Sequence, residues 1–200
     1  MEAKASRNPG AITPRRVSLR ERISAFLPHM DSGTNGRAAV INGKVTGDDA
    51  GSRLEGYLRG SRTVVFHHLN LPGASREIDH LVVGPACITV VDSRHYCGGK
   101  AKFENGQLRI GHRNRSDMIP EVLRQADAVR QLLADTPYAG VPVESAIAVS
   151  KAGGIPTINF QNGRSVIVWG TGLIAREASR PGRLSRERID ALASYLAGRQ

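Results

Sequence analysis

The stretch Arg76–Gly98, REIDHLVVGPACITVVDSRHYCG, constrains the fold of this chain more than any other. Two apolar runs flank a Gly84-Pro85 pair, and each run carries one aspartate: Asp79 in the first, Asp92 at the end of the second. Apolar, β-branched runs of this length on either side of a Gly-Pro break read as two strands of a hairpin, Arg76–Val83 and Cys87–Arg94. Gly84 suits the positive φ that a type II′ turn needs at its first central position. Side chains alternate along a strand, so Asp92 and Arg94 share one face. A two-residue turn pairs Val83 with Ala86 and puts Asp79 opposite Val90. That register leaves Asp79 on the face of Asp92, one diagonal step away, with Cβ atoms roughly 7–8 Å apart. A loop of odd length would send the two carboxylates to opposite faces.

The rest of the chain supplies partners for this hairpin. Ala50, Leu54, Tyr57 and Leu58 recur at helical spacing after a capping-box variant at Thr46 and Asp49, and Gly60 stops the helix. Thr63–Leu69 is a third strand, broken by Pro72 and Gly73. A second hairpin spans Lys100–Ile110 and turns at Asn105-Gly106. A long helix runs from Asp117 to Ala134 with Pro120 in its first turn and a buried stripe of Val122, Ala126, Val129 and Leu133. Val143–Val149 and Ser165–Trp169 are further strands, Gly170-Thr171-Gly172 reads as a tight turn, and a final helix begins near Ser185. This order predicts an α/β fold with a central mixed sheet flanked by helices. The Arg-, Gly-, Pro- and Ser-rich zone 1–45 reads as a basic arm with a short helix ending before Pro28 and a link over Asp31–Asn42, leaving 46–200 as the domain.

Composition narrows the function classes. The formal charge of +10 favours polyanionic partners, either nucleic acid or an acidic surface. Cys87 and Cys97 match no metal spacing and no disulfide framework, which suits a reducing compartment. The longest apolar stretch, Ala86–Val91, is far short of a membrane span, and no apolar segment follows the basic N-terminus, so a cytoplasmic location is expected. His67-His68 lacks a partner pair at zinc spacing, and His80 is expected to pack between sheet and helix, donating to a backbone carbonyl. Tyr96 and Trp169 read as packing residues.

The paired carboxylates carry the chemistry. Magnesium prefers oxygen ligands, commonly one or two carboxylates with water and phosphate oxygens completing its shell. Held between Asp79 and Asp92, it would acidify an attacking water and neutralise charge building on a scissile phosphate. Arg94, two residues after Asp92, supplies a fixed cation for the same phosphate.

These residues belong to a wider pattern: Gly51 and Glu55 at Gly-x-x-x-Glu spacing, Ile78-Asp79-His80-Leu81-Val82-Val83-Gly84-Pro85, Asp92-x-Arg94-x-Tyr96-x-Gly98, and Gln125 on the following helix. Over roughly residues 46–170 the chain resembles the nuclease-related domain (NERD) family, part of the PD-(D/E)xK nuclease superfold. The resemblance implies a restriction-endonuclease-like core of helix, three-stranded antiparallel meander, helix and strand. It implies a magnesium-dependent (or manganese-dependent) nuclease or DNA-processing protein, with DNA as the partner. Asp79 and Asp92 would be metal-binding carboxylates, Glu55 a further carboxylate completing the metal site, and Gln125 a contact to phosphate or water. Arg94 stands where the family usually has lysine, and Asp92 where it often has glutamate. Guanidinium stays protonated and donates in a fixed fork, so it can neutralise phosphate but cannot act as a titrating amine. That departure keeps open a second reading, a nucleic-acid-binding or regulatory module that has lost turnover.

Overall fold

Alternation and glycine punctuation set the elements in the computed structural model of the chain, which describes residues 39–41, 50–94, 101–149, 157–159 and 164–199. All of them belong to the unit Thr34–Gln200. The helix expected in the basic arm, the Thr46–Asp49 cap, the boundary at 45–46, and Tyr96, Cys97 and Gly98 lie outside the described residues.

The first helix, α1 (Ala50–Leu58), ends where Gly60 takes φ +85°, the left-handed position that lacks penalty only for glycine. Three strands follow, β2 (Val64–Leu69), β3 (Ile78–Val83) and β4 (Ile88–Arg94), paired antiparallel in sequence. Ahead of them Ala39–Ile41, expected within a linker, forms an edge strand β1 that runs parallel to β2. An apolar triplet finding an open sheet edge outweighs the loop signals on either side. A small antiparallel sheet comes next: β5 (Ala101–Glu104), β6 (Gln107–Ile110) and β7 (Arg113–Asn114). Its first turn has φ +51° at Asn105 and +74° at Gly106, as the Asn-Gly signal requires. Then come α2 (Met118–Leu133), β8 (Val143–Val149), β9 (Thr157–Asn159), β10 (Ser165–Trp169), α3 (Thr171–Ala178) and α4 (Arg186–Ala197). Gly170-Thr171-Gly172 thus opens a helix instead of closing a tight turn, because the apolar Leu173, Ile174 and Ala175 continue behind it.

The large sheet has seven strands in the order β1-β2-β3-β4-β8-β10-β9. β8 lies parallel to both β4 and β10, while β9 pairs antiparallel with β10 at the edge. Helix, antiparallel meander, helix and strand is the restriction-endonuclease-like arrangement. Alternation divides the core into two layers. Phe66, Leu81, Val83, Ile88, Val90 and Ile147 face α2 and α4, packing on Val122, Val129, Ile189 and Leu192. Val65, Val82, Val91, Ala146 and Ala148 face α1 and α3, packing on Leu54, Leu58, Ile174 and Ala178. Each fully buried side chain of this size contributes about 1.5–3 kcal/mol relative to exposure. Among the described residues no helix is long and apolar enough to cross a membrane.

The β3–β4 turn differs from the sequence expectation. Val83 pairs with Ile88, not Ala86, and the connection is closed by the Gly84 N–H donating to the Cys87 carbonyl at 2.9 Å. Pro85 and Ala86 are the central residues, which suits a proline with fixed φ and no N–H. Gly84 has no positive φ, so its role is room. A Cβ there would lie 1.9 Å from the Ala178 carbonyl oxygen at the end of α3.

Candidate active site

The position of the turn decides the site. Moving the turn one residue along the chain changes the register by two, an even step, so face assignments survive while neighbours change. The ladder ends at His80 opposite Val91, with Leu81 opposite Val90, so extending it by one residue brings Asp79 beside Asp92. The two aspartates are therefore direct cross-strand neighbours at the carboxyl end of β4, where it runs beside parallel β8. Open α/β sheets bind ligands at such strand ends.

Asp92 is only 1% exposed, and two cations meet it. Arg94 Nη2 lies 3.1 Å from its Oδ1 and 3.3 Å from its Oδ2, and Arg76 Nη2 donates to Oδ2 at 3.3 Å. Oδ1 has that ion pair but no hydrogen bond. Burial pushes the Asp92 carboxyl up to about 6 from its ordinary 3.8. Arg94 and Arg76 oppose the rise, and the charge and hydrogen bond of Asp79 reinforce it. Asp79 is held in turn by Ser93, whose N–H and hydroxyl donate to its Oδ2 at 2.8 and 3.1 Å.

Not all the residues singled out in the sequence converge here. Glu55, on α1, accepts from or pairs with His67 Nε2 at 2.9 Å, and His67 Nδ1 lies 2.7 Å from His80 Nδ1. This Glu55–His67–His80 chain lies where α1 packs on the sheet, and a Cβ on Gly51 would come within 3.1 Å of the His80 ring and 3.3 Å of the His67 ring. His80 packs between sheet and helix as expected, with its Nδ1 against the His67 ring. Gln125 is buried on α2 and donates from Nε2 to the Glu77 carbonyl at 3.2 Å, while its Oε1 has no hydrogen-bond partner. Among the described residues, no group of three or more His, Cys, Asp or Glu side chains is placed to hold a metal ion together.

Two residues that sequence reasoning passed over belong to the site. Arg76 bridges, reaching Asp92 with Nη2 and Glu121 with Nε at 3.3 Å each. Glu121, in the first turn of α2, also accepts from the Ser75 hydroxyl at 2.7 Å and pairs with Arg124. Desolvation acts to raise its pKa, but Ser75, Arg124 and Arg76 together hold it below the ordinary value. The available signal was spacing: Glu121 and Gln125 are four apart on one helix face. Arg76 opens the most constrained stretch of the sequence, yet nothing in a single arginine before a strand marks it.

The residues present suit magnesium. Two hard-oxygen carboxylates in contact are unfavourable together unless a proton or a cation lies between them, and one or two carboxylates are the usual protein share of a magnesium shell. A mixed sheet between helices, in the order helix, meander, helix and strand, is compatible with a restriction-endonuclease-like fold. Residues 43–150 match the sequence pattern of the nuclease-related domain, more than half of the chain. The chain belongs to that family. Neither the comparison with curated proteins nor that with solved structures returns a match.

Proposed function

We propose that this protein is a magnesium-dependent nuclease that hydrolyses phosphodiester bonds in DNA, with manganese an acceptable substitute. The contact between Asp79 and Asp92 carries the reading, set beside Arg94 in a chain of the nuclease-related domain family. Asp79 and Asp92 would hold the metal, while Glu55, the further carboxylate the resemblance implies, is engaged by His67 in the layer of α1. The metal, when bound, supplies charge neutralisation at the phosphate and lowers the pKa of water.

The chain's own groups do the rest. Ser93 fixes the orientation of Asp79, so one carboxylate is preorganised. Arg94 and Arg76 lie against Asp92 while it is ionised, and each can turn to a phosphate oxygen when another cation satisfies that carboxylate. Glu121 holds Arg76 from the other side and keeps its guanidinium at the site. The Gln125 Oε1 is an acceptor that can orient a water.

One observation favours a second reading, a nucleic-acid-binding or regulatory module without turnover. Two guanidinium groups already lie against Asp92, and each donates in a fixed fork where a lysine would offer a movable amine. The two readings separate in one assay: supercoiled plasmid, linear duplex and single strands with magnesium, manganese or chelator, beside Asp92→Asn. Metal-dependent cleavage abolished in the variant supports the nuclease. Binding without cleavage under every metal supports the module, and recovery of turnover in Arg94→Lys would locate the cause.

A further inference from the structure

The small sheet that follows Arg94 has two unlike faces. Ala101, Phe103, Leu108 and Ile110 turn inward and join the core layer of Met118 and Ile119 at the start of α2, the helix that carries Glu121 and Gln125. Its outer face is exposed, and register lines up one residue from each strand: Lys102 opposite Arg109, and Arg109 opposite Asn114. Like charges directly opposite one another are unfavourable in a two-stranded pair, yet Lys102 and Arg109 occupy such a pair. Lys102 has only a loose ion pair, with Glu104 at 3.6 Å, and Arg109 has none among the described residues. Asn114 uses its Oδ1 to accept from the Ser116 N–H and hydroxyl at 3.0 and 2.7 Å, which leaves its NH₂ group to face outward. The row presents hydrogen-bond donors over two strand spacings or about 10 Å, with the Glu104 carboxylate on the same face at its Lys102 end.

We propose that the row Lys102–Arg109–Asn114 is a contact surface for the phosphate backbone of duplex DNA. The proposal rests on the nucleic-acid reading above and names its substrate class. Cations and amide donors spaced along such a row fit phosphate oxygens, which make no sequence-specific demand. Single strands are held by aromatic side chains on which bases stack. The outer face has none, since Phe103, the sheet's one aromatic, packs inward. The surface is thus suited to a stacked duplex and not to splayed bases.

The test is fluorescence anisotropy of the full chain with labelled duplex and single strand, in chelator so that nothing is cut. Lys102→Ala/Arg109→Ala/Asn114→Ala should bind duplex roughly tenfold more weakly. Its plot of log affinity against log salt should be shallower by about 2, since two cations at about 0.9 each are removed. Arg109→Glu alone should weaken duplex binding in the same direction. Arg183→Ala removes an exposed arginine beside the Pro85–Ala86 turn, at the other end of β4 from Asp92, and should change nothing. Thermal melts show whether each variant is folded. Unchanged duplex affinity in the triple variant, an equal loss in Arg183→Ala, or single strands bound more tightly than duplex by wild type would each overturn the proposal. Failure of the nuclease reading looks different: wild type binds duplex through this row but cuts nothing with any metal.

Discussion

Asp79 and Ser93 are joined by two hydrogen bonds, from the backbone N–H at 2.8 Å and the hydroxyl at 3.1 Å, both to the same carboxylate oxygen. The first depends only on the fold of β4, the second on the side chain. Ser93→Ala should therefore loosen Asp79 without releasing it, lowering stability by about 1 kcal/mol. Magnesium affinity should fall at the same time while Asp79→Asn loses it altogether. Urea melts and calorimetric metal titration check the two effects; equal magnesium affinity in wild type and Ser93→Ala would separate Ser93 from the metal site.

Burial raises Asp92 from 3.8 to about 6, so folding favours its protonated form. The resulting stability is fully present below pH 3.8 and is lost as pH rises through about 6. At about 1.4 kcal/mol per pH unit the loss amounts to about 3 kcal/mol. Metal-free protein should therefore become less stable between pH 4 and 7 from this group, and Asp92→Asn should remove that slope and raise Tm at pH 8. Magnesium binds the ionised carboxylate, so the Tm increase it confers should vanish as pH falls below about 6. Tm measured across pH with and without magnesium, in both proteins, tests the signs.

Gly84 and Ala178 meet where the β3–β4 turn passes under the end of α3. Gly84→Ala would put a Cβ 1.9 Å from the Ala178 carbonyl oxygen, a backbone atom with little room to move. A loss of about 3 kcal/mol is expected. Gly56→Ala is the contrast: the site is exposed inside α1 with nothing within 4 Å of the new Cβ, and the helix should gain up to about 1 kcal/mol. Denaturant unfolding of both variants measures the difference.

Cys87 is fully buried, and burial together with the Glu144 charge pushes its thiol up to about 11. In a Cys97→Ser background the native protein should not react with an aromatic disulfide reagent at pH 8 and should release one equivalent in denaturant. Rapid labelling of the native form would show that the β3–β4 turn opens.

How far the sequence reached can be followed along β3 and β4. It gave both strands to within two residues, the Asn105-Gly106 turn, the C-terminal stop of α1 and the buried stripe of α2, because each depends on neighbours a few positions apart. It placed Asp79 and Asp92 on one face for the same reason, since alternation survives any even change of register. It put Asp79 opposite Val90, however, because the sequence marks a Gly-Pro turn without saying which two residues occupy its tip.

What only the tertiary structure decided lies between residues distant in the chain. Arg76 is 45 positions from Glu121, and its bridge from there to Asp92 exists because α2 packs across the end of β3 and β4. Glu55 meets His67 because α1 covers the other layer of the sheet, and no local pattern contains that information. Local propensity and alternation fixed the elements and the carboxylate pair; long-range packing, whose loop-closure entropy is independent of motif spelling, chose the partners that surround it.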